Sequence, residues 1–263
     1  MKVLLKFILL NILIYICIVK CTSSTTRPKI SIIIPVYNSE KYIDRSLQSA
    51  LNQTLEDIEV ICIDDASQDS SLKILRNYEQ LDPRVRVYHF KKNKGASQAR
   101  NKGIKLAKGK FIGFIDSDDY VDKEFYENLY KHSEHHDVIV GKFVDSTNYS
   151  DNYLPNDFPL IHGYVVDSIW KRSFLRKHNV EFPVNVRIRE DKEFRKRCYQ
   201  YNPRIFNTTE DGIFYYYKRR EGSVRNFNIN YLKSLNEKAK QFKMDVNEKI
   251  HKIGLIVKRF VNM

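Results

Sequence analysis

The stretch that decides the fold is Lys110 to Tyr120, which reads KFIGFIDSDDY. Its first half is an unbroken apolar run, and its second half carries three carboxylates within four positions. A run that is apolar throughout, rather than alternating, predicts a strand buried on both faces of a sheet. The carboxylates of Asp116, Asp118 and Asp119 follow the end of that strand, where they repel one another and are costly to desolvate. We therefore expect a cation beside them.

Two interpretations of this acidic segment are open. A hard divalent ion, Mg²⁺ or Mn²⁺, prefers carboxylate oxygens and usually shares them with phosphates. Alternatively, the Asp-Ser-Asp-Asp segment is a solvated turn, because these residues are common in turns. The segments that precede it favour the metal.

Composition and charge narrow the class of protein. The chain has 263 residues and is 42% hydrophobic, so it can bury a sizeable core. Residues 1–162 carry 22 Lys and Arg against 21 Asp and Glu, whereas residues 163–263 carry 23 against 11. A neutral first part followed by a basic second part suits an anionic substrate held between them. We expect no nucleic-acid partner, because no zinc spacing, homeodomain-like helix or RRM-type aromatic motif accompanies the charge.

The N-terminal end of the chain predicts contact with a membrane, and the C-terminal end leaves such contact open. Residues 1–28 contain an apolar run of about 13 residues from Phe7, followed by a short Ser/Thr linker. This pattern predicts a signal peptide or signal-anchor, and so a membrane-associated or secretory-pathway location. Residues 229–263 predict a helical, basic C-terminal tail, which either packs back on the domain or lies on an anionic membrane surface.

Between these ends, strands alternate with helices. The predicted strands are 30–38, 59–63, 85–88 and the run that begins at Lys110. Helices are predicted after Ser39 and Asp69, which are their expected caps, and between Gly95 and Lys108. This alternation predicts an α/β fold, a doubly wound sheet with parallel pairing and right-handed crossovers.

In such a sheet, ligands bind outside the carboxyl ends of the strands. Pro35 and Tyr37, the pair Asp64 and Asp65, and the acidic segment should therefore meet at one edge. The sequence contains no GxGxxG or GxxxxGK loop. The phosphates of a bound nucleotide must then be neutralised by a metal and basic side chains.

Five segments resemble the inverting family 2 glycosyltransferases, which have the GT-A fold with a mostly parallel sheet flanked by helices. The segments are SIIIPVYN (31–38), SALNQT (49–54), VICIDDAS (60–67), NKGASQARNKG (93–103) and FIDSDD (114–119). The resemblance implies a glycosyltransferase domain at 29–228, with a nucleotide-sugar-binding half at 29–125 and an acceptor half at 126–228. The acceptor half matches more loosely, at 170–175, 189–194 and 216–223.

The resemblance also implies a role for each matched position. The nucleotide-sugar-binding positions are Pro35, Tyr37, Asp64, Asp65, Arg100, Asp116, Asp118 and Arg220. Arg220, together with Arg219 and Ser223, would clamp the diphosphate from the acceptor side. Asp65 would accept the N3–H of a uracil-like base. The metal-binding positions, for Mg²⁺ or Mn²⁺, are Asp116, Asp118 and Asp119. Asp191 would be the general base, with Glu190 as the second candidate.

Each implied role has a structural alternative. Asp64 and Asp65 also suit an Asx-turn, and acids at 190–193 also suit the start of a helix because of its dipole. The arginines near 220 could simply form a basic strand end. Trp170 is either a platform for the acceptor sugar or part of the core.

The expected function is metal-dependent transfer, with inversion, of a sugar from a nucleotide-diphosphate donor such as a UDP-sugar. The expected acceptor is a hydroxyl of a glycan or a lipid-linked molecule. Single transfers are expected, because the Gln-x-x-Arg-Trp signature of processive members is missing. The alternative is a non-catalytic sugar-nucleotide binder that kept the fold. A nucleotidyltransferase is a weaker third interpretation, because its phosphate-binding loop is missing.

Overall fold

A computed structural model describes residues 27–146, 164–184, 190–208 and 213–217. The apolar leader, the predicted C-terminal helix, and the segment with Arg219, Arg220 and Ser223 lie outside these described residues. Within the described ranges, no helix is long and apolar enough to cross a membrane.

Among the described residues, seven strands form the main sheet and three form a smaller one. In its spatial order, the main sheet consists of β3 (Val85–His89), β2 (Ile58–Asp64), β1 (Ile30–Val36), β4 (Phe111–Phe114), β8 (Ser168–Lys171), β6 (Val138–Val140) and β9 (Ile205–Asn207). The smaller sheet consists of β5 (Tyr120–Val121), β10 (Ile213–Tyr217) and β7 (Lys142–Ser146). The helices are α1 (Ile43–Leu51), α2 (Ser71–Leu81), α3 (Ala96–Leu106), α4 (Phe125–Lys131), α5 (Arg172–Lys177) and α6 (Glu190–Tyr199).

The first half of the main sheet confirms the predicted doubly wound pattern. Strands β3, β2, β1 and β4 are parallel neighbours. Every residue of β1, β2 and β4 is buried, which explains why these strands are apolar rather than alternating. The register places Val36 beside Asp64 and Ile33 beside Phe114, so the ends of β1, β2 and β4 lie together.

The second half departs from that pattern. Strand β8 is antiparallel to both of its neighbours, β4 and β6, so the sheet is mixed and mostly parallel, as the resemblance implied. Parallel pairing follows from a helical crossover between consecutive strands. Strands β4 and β8 are separated in the chain by β5, α4, β6 and β7, so they do not form such a unit.

Neither of the two predicted caps is the N-cap residue of its helix. Helix α1 begins only at Ile43, and Ser39 does not cap it. The Ser39 hydroxyl instead bonds Ser117 Oγ at 2.6 Å and Tyr37 O at 3.1 Å, which ties the turn after β1 to the acidic segment. Helix α2 begins at Ser71 with Ser70 at its N-cap position, so Asp69 is not the cap, although its Oδ1 accepts the Ser71 N–H at 2.9 Å.

Helix α3 lies unusually close to the sheet, which sets the position of Arg100. A Cβ on Gly103 would lie 2.4 Å from Ile33 Cγ2 of β1, so only glycine permits this approach. The neighbouring Asn101 exchanges two hydrogen bonds with the backbone of Phe182, at 2.7 and 2.9 Å. These bonds tie α3 to the segment that leads to α6.

Trp170 belongs to the core. Its side chain is 0% exposed, its Nε1–H donates to Val165 O at 3.2 Å, and its ring packs edge-on against Phe194 of α6. The structure therefore favours the core alternative over an acceptor platform for this residue.

Candidate functional site

A cavity of about 470 Å³ opens at the carboxyl edge of the main sheet. It is lined by Pro35, Val36 and Tyr37 after β1, Asp65 after β2, Asn93, Gly95, Ala96, Ala99 and Arg100 around the start of α3, and Asp116, Ser117 and Asp118 after β4. We call it the acidic cavity, because three carboxylates face one guanidinium. Of the predicted nucleotide-sugar positions, it brings together Pro35, Tyr37, Asp65, Arg100, Asp116 and Asp118.

Asp65 is held rigidly in the wall of this cavity. Its Oδ1 accepts the Lys94 N–H and its Oδ2 accepts the Gly95 N–H, both at 2.7 Å. Gly95 has φ +85°, a conformation that glycine adopts without strain. Each carboxylate oxygen has two acceptor positions, so Asp65 can still accept a hydrogen bond from a ligand.

Asp64 faces a different environment. It is 0% exposed and does not line the acidic cavity. Its Oδ2 lies 2.8 Å from His89 Nδ1 and accepts the Ser67 N–H at 3.2 Å. Asp64 therefore shapes the loop after β2, while its neighbour Asp65 reaches the cavity.

Arg100 joins the two halves of the domain. Its guanidinium lies 2.6 Å from Asp116 Oδ1, 3.1 Å from Glu190 Oε1 and 3.4 Å from Asp191 Oδ1. Arg100 is 3% exposed and lies over the Phe182 ring at 5.3 Å. Burial alone would lower the pKa of Arg100, but the three carboxylates outweigh it and raise the pKa. The guanidinium is thus a permanent charge between the acidic segment and the start of α6.

Asp191 has the electrostatic properties of a general base. Its side chain is 14% exposed, and burial is the largest cause that raises its pKa, to about 7. The nearby carboxylates of Asp116 and Glu190 raise the pKa further, whereas Arg100 and the Val165 N–H partly oppose them. A carboxylate with a pKa near neutrality can take up a proton at physiological pH, as general-base catalysis requires.

The acidic segment is divided between surface and core. Asp116 is 30% exposed on its side chain and Asp118 lines the cavity, whereas Asp119 is 0% exposed and is not part of the lining. Of the two carboxylate oxygens of Asp116, Arg100 bonds Oδ1. In the described part of the chain, no three His, Cys, Asp or Glu side chains form a complete metal site. The donor set at Asp116 and Asp118 nevertheless fits Mg²⁺ or Mn²⁺, because these ions take one or two protein carboxylates and fill the remaining positions with water and phosphate oxygens.

Sequence reasoning missed several contributors to the site. Asn93 and Ser117 line the cavity, and the backbone N–H groups of Lys94 and Gly95 fix Asp65. Any residue type except proline can supply a backbone N–H, so the side chains at 94 and 95 do not reveal this role. These positions do lie within the segments that resemble the family. The ion pairs of Arg100 with Glu190 and Asp191 were also missed, because they join residues about ninety positions apart in the chain.

Fold and site together define the class: an α/β protein with a mostly parallel sheet and a carboxylate-rich ligand cavity at the carboxyl edge of its strands. The sequence model of the family described as "Glycosyl transferase family 2" matches residues 31–196. The chain belongs to this family, and the resemblance read from its motifs is confirmed.

Two curated relatives illustrate the similarity. The "Poly(ribitol-phosphate) beta-glucosyltransferase" of Bacillus spizizenii is 36% identical over 209 residues, which cover 74% of this chain and 33% of the relative. The "Uncharacterized glycosyltransferase EpsJ" of Bacillus subtilis is 32% identical over 211 residues, which cover 72% of this chain and 61% of the relative. The chain thus spans between a third and two thirds of the length of these relatives.

Solved structures support the same fold. The S. aureus TarS 1–349 structure in complex with UDP-GlcNAc superimposes with a TM-score of 0.64 and 28% identity, covering 74% of this chain and 60% of that chain. The mannosyltransferase PcManGT of Pyrobaculum calidifontis, in complex with GDP-Man and Mn²⁺, has a TM-score of 0.59 but only 16% identity. That second similarity shows the fold alone.

Proposed function

We propose that the protein transfers a sugar from a UDP-sugar to an acceptor hydroxyl, with inversion at the sugar's C1 and with the help of a divalent metal. The observation that carries this proposal is the arrangement around Arg100. This guanidinium holds Asp116 of the acidic cavity on one side and Asp191, with its pKa near 7, on the other. A donor site and a general base are thereby held next to each other.

The nucleotide part of the donor is assigned to the inner wall of the acidic cavity. Asp65 offers a fixed carboxylate that can accept the N3–H of a uracil ring, and Tyr37, 44% exposed, offers an aromatic face beside it. The complexes of the similar TarS with UDP and with UDP-GlcNAc support a uridine nucleotide as the donor handle.

The diphosphate is assigned to the outer wall, where Asp116 and Asp118 would hold Mg²⁺ or Mn²⁺. When bound, the ion supplies Lewis-acid stabilisation of the charge on the departing diphosphate. Arg100 keeps Asp116 oriented toward the cavity through its bond to Oδ1. Arg220 remains a proposed partner of the diphosphate from the acceptor half.

Asp191 is assigned the role of the base. The acceptor hydroxyl is a weak nucleophile until a positioned carboxylate removes its proton. Asp191 Oδ2 accepts the Val165 N–H at 3.4 Å, which orients the carboxylate, and its burial maintains a high proton affinity. The proton moves from the acceptor hydroxyl to Asp191 as the hydroxyl oxygen attacks C1 of the sugar and the nucleoside diphosphate departs from the opposite face.

The acceptor is proposed to be a hydroxyl-bearing anionic glycan, such as a polyol-phosphate polymer. Two supporting facts are the net charge of +13 and the names of similar proteins, the poly(ribitol-phosphate) transferases of B. spizizenii and S. aureus. A basic surface raises the local concentration of such a polymer and speeds its association.

The test is release of free nucleoside diphosphate from a donor panel: UDP-glucose, UDP-GlcNAc and GDP-mannose, each with Mn²⁺ and with or without poly(ribitol phosphate). We expect acceptor-dependent release of UDP and labelling of the polymer. Binding of UDP-sugars without any release, by a chain whose Asp191 is intact, would contradict transferase activity and favour a non-catalytic binder.

We also propose that the full chain is attached to a membrane by its apolar N-terminal segment, with the basic C-terminal region as a second contact. An apolar segment inserts into the hydrocarbon part of a bilayer, and basic residues add attraction to an anionic membrane surface. Fractionation of cells that express the full chain tests this: the protein should sediment with membranes and resist carbonate extraction. Recovery in the soluble fraction would contradict the proposal.

A further inference from the structure

A second cavity, of about 400 Å³, lies at the opposite edge of the main sheet. It is lined by Asp137, Lys171, Ser173, Phe174, Lys177, His178, Tyr201 and Arg204, and we call it the basic cavity. Lys171 pairs in register with Phe111, the first residue of β4, whereas the acidic cavity begins beyond the last residue of that strand. From position 111 to position 116 an extended chain covers roughly 17 Å. The two cavities share no lining residue.

The charge of this cavity is strongly positive. Its lining holds three cationic side chains, Lys171, Lys177 and Arg204, against the single carboxylate of Asp137. Lys177 is exposed, and within the described ranges no carboxylate pairs with its ammonium group. A concave surface with this excess of positive charge attracts an anion.

Asp137 holds two of the cations in place. Its carboxylate lies 3.0 Å from Arg204 Nε, 3.2 Å from Arg204 Nη2 and 3.2 Å from Lys171 Nζ. Burial would raise the pKa of Asp137, but the hydrogen bonds from Arg204 and Lys171 outweigh it and lower the pKa to about 2. Asp137 therefore stays ionised and pre-orients both cations, which reduces the entropy cost of binding an anion.

Arg204 retains donors for a ligand. Its bonds to Asp137 use Nε and Nη2. A guanidinium carries five N–H donors, so the Nη1 side of Arg204 remains suited to a phosphate oxygen. The Ser173 hydroxyl, which also belongs to the lining, can donate a further hydrogen bond.

The other wall of the basic cavity is aromatic. Tyr201 is 46% exposed and stacks on His178, with ring centroids 4.3 Å apart. His178 in turn contacts Phe174 at 4.7 Å between centroids. Exposed aromatic faces suit the C–H face of a sugar or the carbon chain of a polyol, which carry hydroxyls but little charge.

We propose that the basic cavity is a second ligand site, which binds a phosphate ester of a sugar or polyol. The phosphate lies among Lys171, Lys177 and Arg204, and the carbohydrate part lies against Tyr201 and Phe174. This site is separate from the acidic cavity, so it binds either a different ligand or a phosphate of a long polymer that is far from the reacting hydroxyl. The inference does not depend on which sugar the acidic cavity accepts.

The charge and shape of the basic cavity favour a phosphate ester over a divalent cation or a membrane surface. A divalent cation is disfavoured because three positive side chains surround one carboxylate that is already bound. A membrane surface would need a flat or protruding apolar region, whereas these cations line a concave space between α5 and the segments before β6 and β9. The acidic cavity differs again, because it needs a metal before it can hold a phosphate.

Isothermal titration calorimetry of the full chain tests the site. The probes are glycerol 3-phosphate, a short poly(glycerol phosphate) oligomer, glycerol, and vesicles containing phosphatidylglycerol. Saturating UDP with Mn²⁺ occupies the acidic cavity during the titrations. We expect saturable binding of glycerol 3-phosphate that weakens with added salt, and no binding of glycerol. The oligomer should bind at least as tightly, and tighter binding of the oligomer would identify a polymer as the source of the phosphate.

Lys177→Gln is the decisive variant, because this exposed side chain is not needed for folding. It should weaken glycerol 3-phosphate binding about tenfold, as expected for the loss of one charged hydrogen bond. Tyr201→Ala should weaken it about threefold, through the lost aromatic face. The matched control is Lys73→Gln, an exposed lysine on α2 outside both cavities, which should bind like the parent chain.

Three outcomes would overturn the inference. The first is no saturable binding of any soluble phosphate ester. The second is equal binding by the parent chain and Lys177→Gln. The third is binding of the vesicles alone, which would assign these cations to a membrane surface. Failure of sugar transfer with intact, Lys177-dependent binding would refute the proposed function and leave this site standing.

Discussion

The acidic cavity and the basic cavity occupy opposite edges of one sheet and carry opposite charge. Three carboxylates and one guanidinium line the first, and three cations and one carboxylate line the second. We therefore expect a phosphate to bind in the basic cavity without a metal, and to bind in the acidic cavity together with a cation that offsets the carboxylates. The comparison shows that net charge alone, +13 for the chain, does not reveal where an anionic ligand binds.

Two largely buried acids, one near each cavity, have pKa values that are shifted in opposite directions. Near the acidic cavity, Asp191 lies among other carboxylates and its pKa is raised to about 7. In the basic cavity, Asp137 lies among cations and its pKa is lowered to about 2. The first acid is suited to exchange a proton, and the second is suited to hold cations in place.

The largest expected effect is on catalysis at the acidic cavity. Asp191→Asn should lower kcat about 10³-fold, because the acceptor hydroxyl loses its general base. The affinity for UDP should change less than twofold, as measured by calorimetry. The matched control is Asp57→Asn, an exposed carboxylate outside both cavities, which should keep kcat within twofold. Full turnover by Asp191→Asn would transfer the role of base to Glu190 or another group.

Removal of the metal should separate the two cavities. With excess EDTA, transfer should fall at least about 100-fold, because the charge on the leaving diphosphate is no longer offset. Binding of glycerol 3-phosphate at the basic cavity should change less than twofold in the same samples. Transfer that continues unchanged in EDTA would show that Arg100 and other basic groups suffice.

The pH dependence of transfer should follow the titration of Asp191. A base must be deprotonated to act, so kcat/KM should rise as pH increases and level off above its pKa of about 7. Between pH 5 and pH 8 the increase should be about 100-fold, since only about 1% of such a group is ionised two units below its pKa. Asp57→Asn should show the same midpoint as the parent chain, and a flat profile of the parent would contradict the assignment of the base.

The stability of Asp191→Asn and that of Asp137→Asn should change in opposite directions. Because the pKa of Asp191 is raised, ionising its carboxyl destabilises the folded state relative to the unfolded state. The free energy of unfolding of the parent chain therefore falls as pH rises from about 4 to about 7. Asp191→Asn removes that cost and should increase the free energy of unfolding by about 4 kcal/mol at pH 8, but not at pH 4. Thermal unfolding at both pH values checks this, and it also shows that an inactive variant is folded.

Asp137→Asn should have the opposite effect. A lowered pKa means that the ionised form stabilises the fold above about pH 4, and that this stability is lost as pH falls toward 2. The substitution should therefore cost about 2 kcal/mol at pH 7 and almost nothing at pH 2. The control is Asp57→Asn, which breaks the exposed pair with Lys29 and should change stability little. Equal losses in the two variants would contradict the anchoring role of Asp137.

Much of the first half of the domain could be predicted from sequence. The apolar runs at Ile30–Val36, Ile58–Asp64 and Phe111–Phe114 are parallel strands, and the rule on carboxyl edges brought Tyr37, Asp65 and Asp116 together. These predictions succeeded because strand burial and βαβ pairing are local properties with a clear pattern. The roles of these residues remain predictions that the experiments above test.

Sequence by itself therefore determined the family, the parallel half of the sheet and the edge at which the first cavity opens. Only the tertiary structure decided which of two adjacent acids, Asp64 or Asp65, reaches that cavity, and that Arg100 pairs with Asp191. It also decided that Asp137, Lys171 and Arg204 meet at the far edge. The physical reason is that charge pairing and burial depend on through-space distances between residues far apart in the chain, and these distances arise only when the halves of the domain pack together.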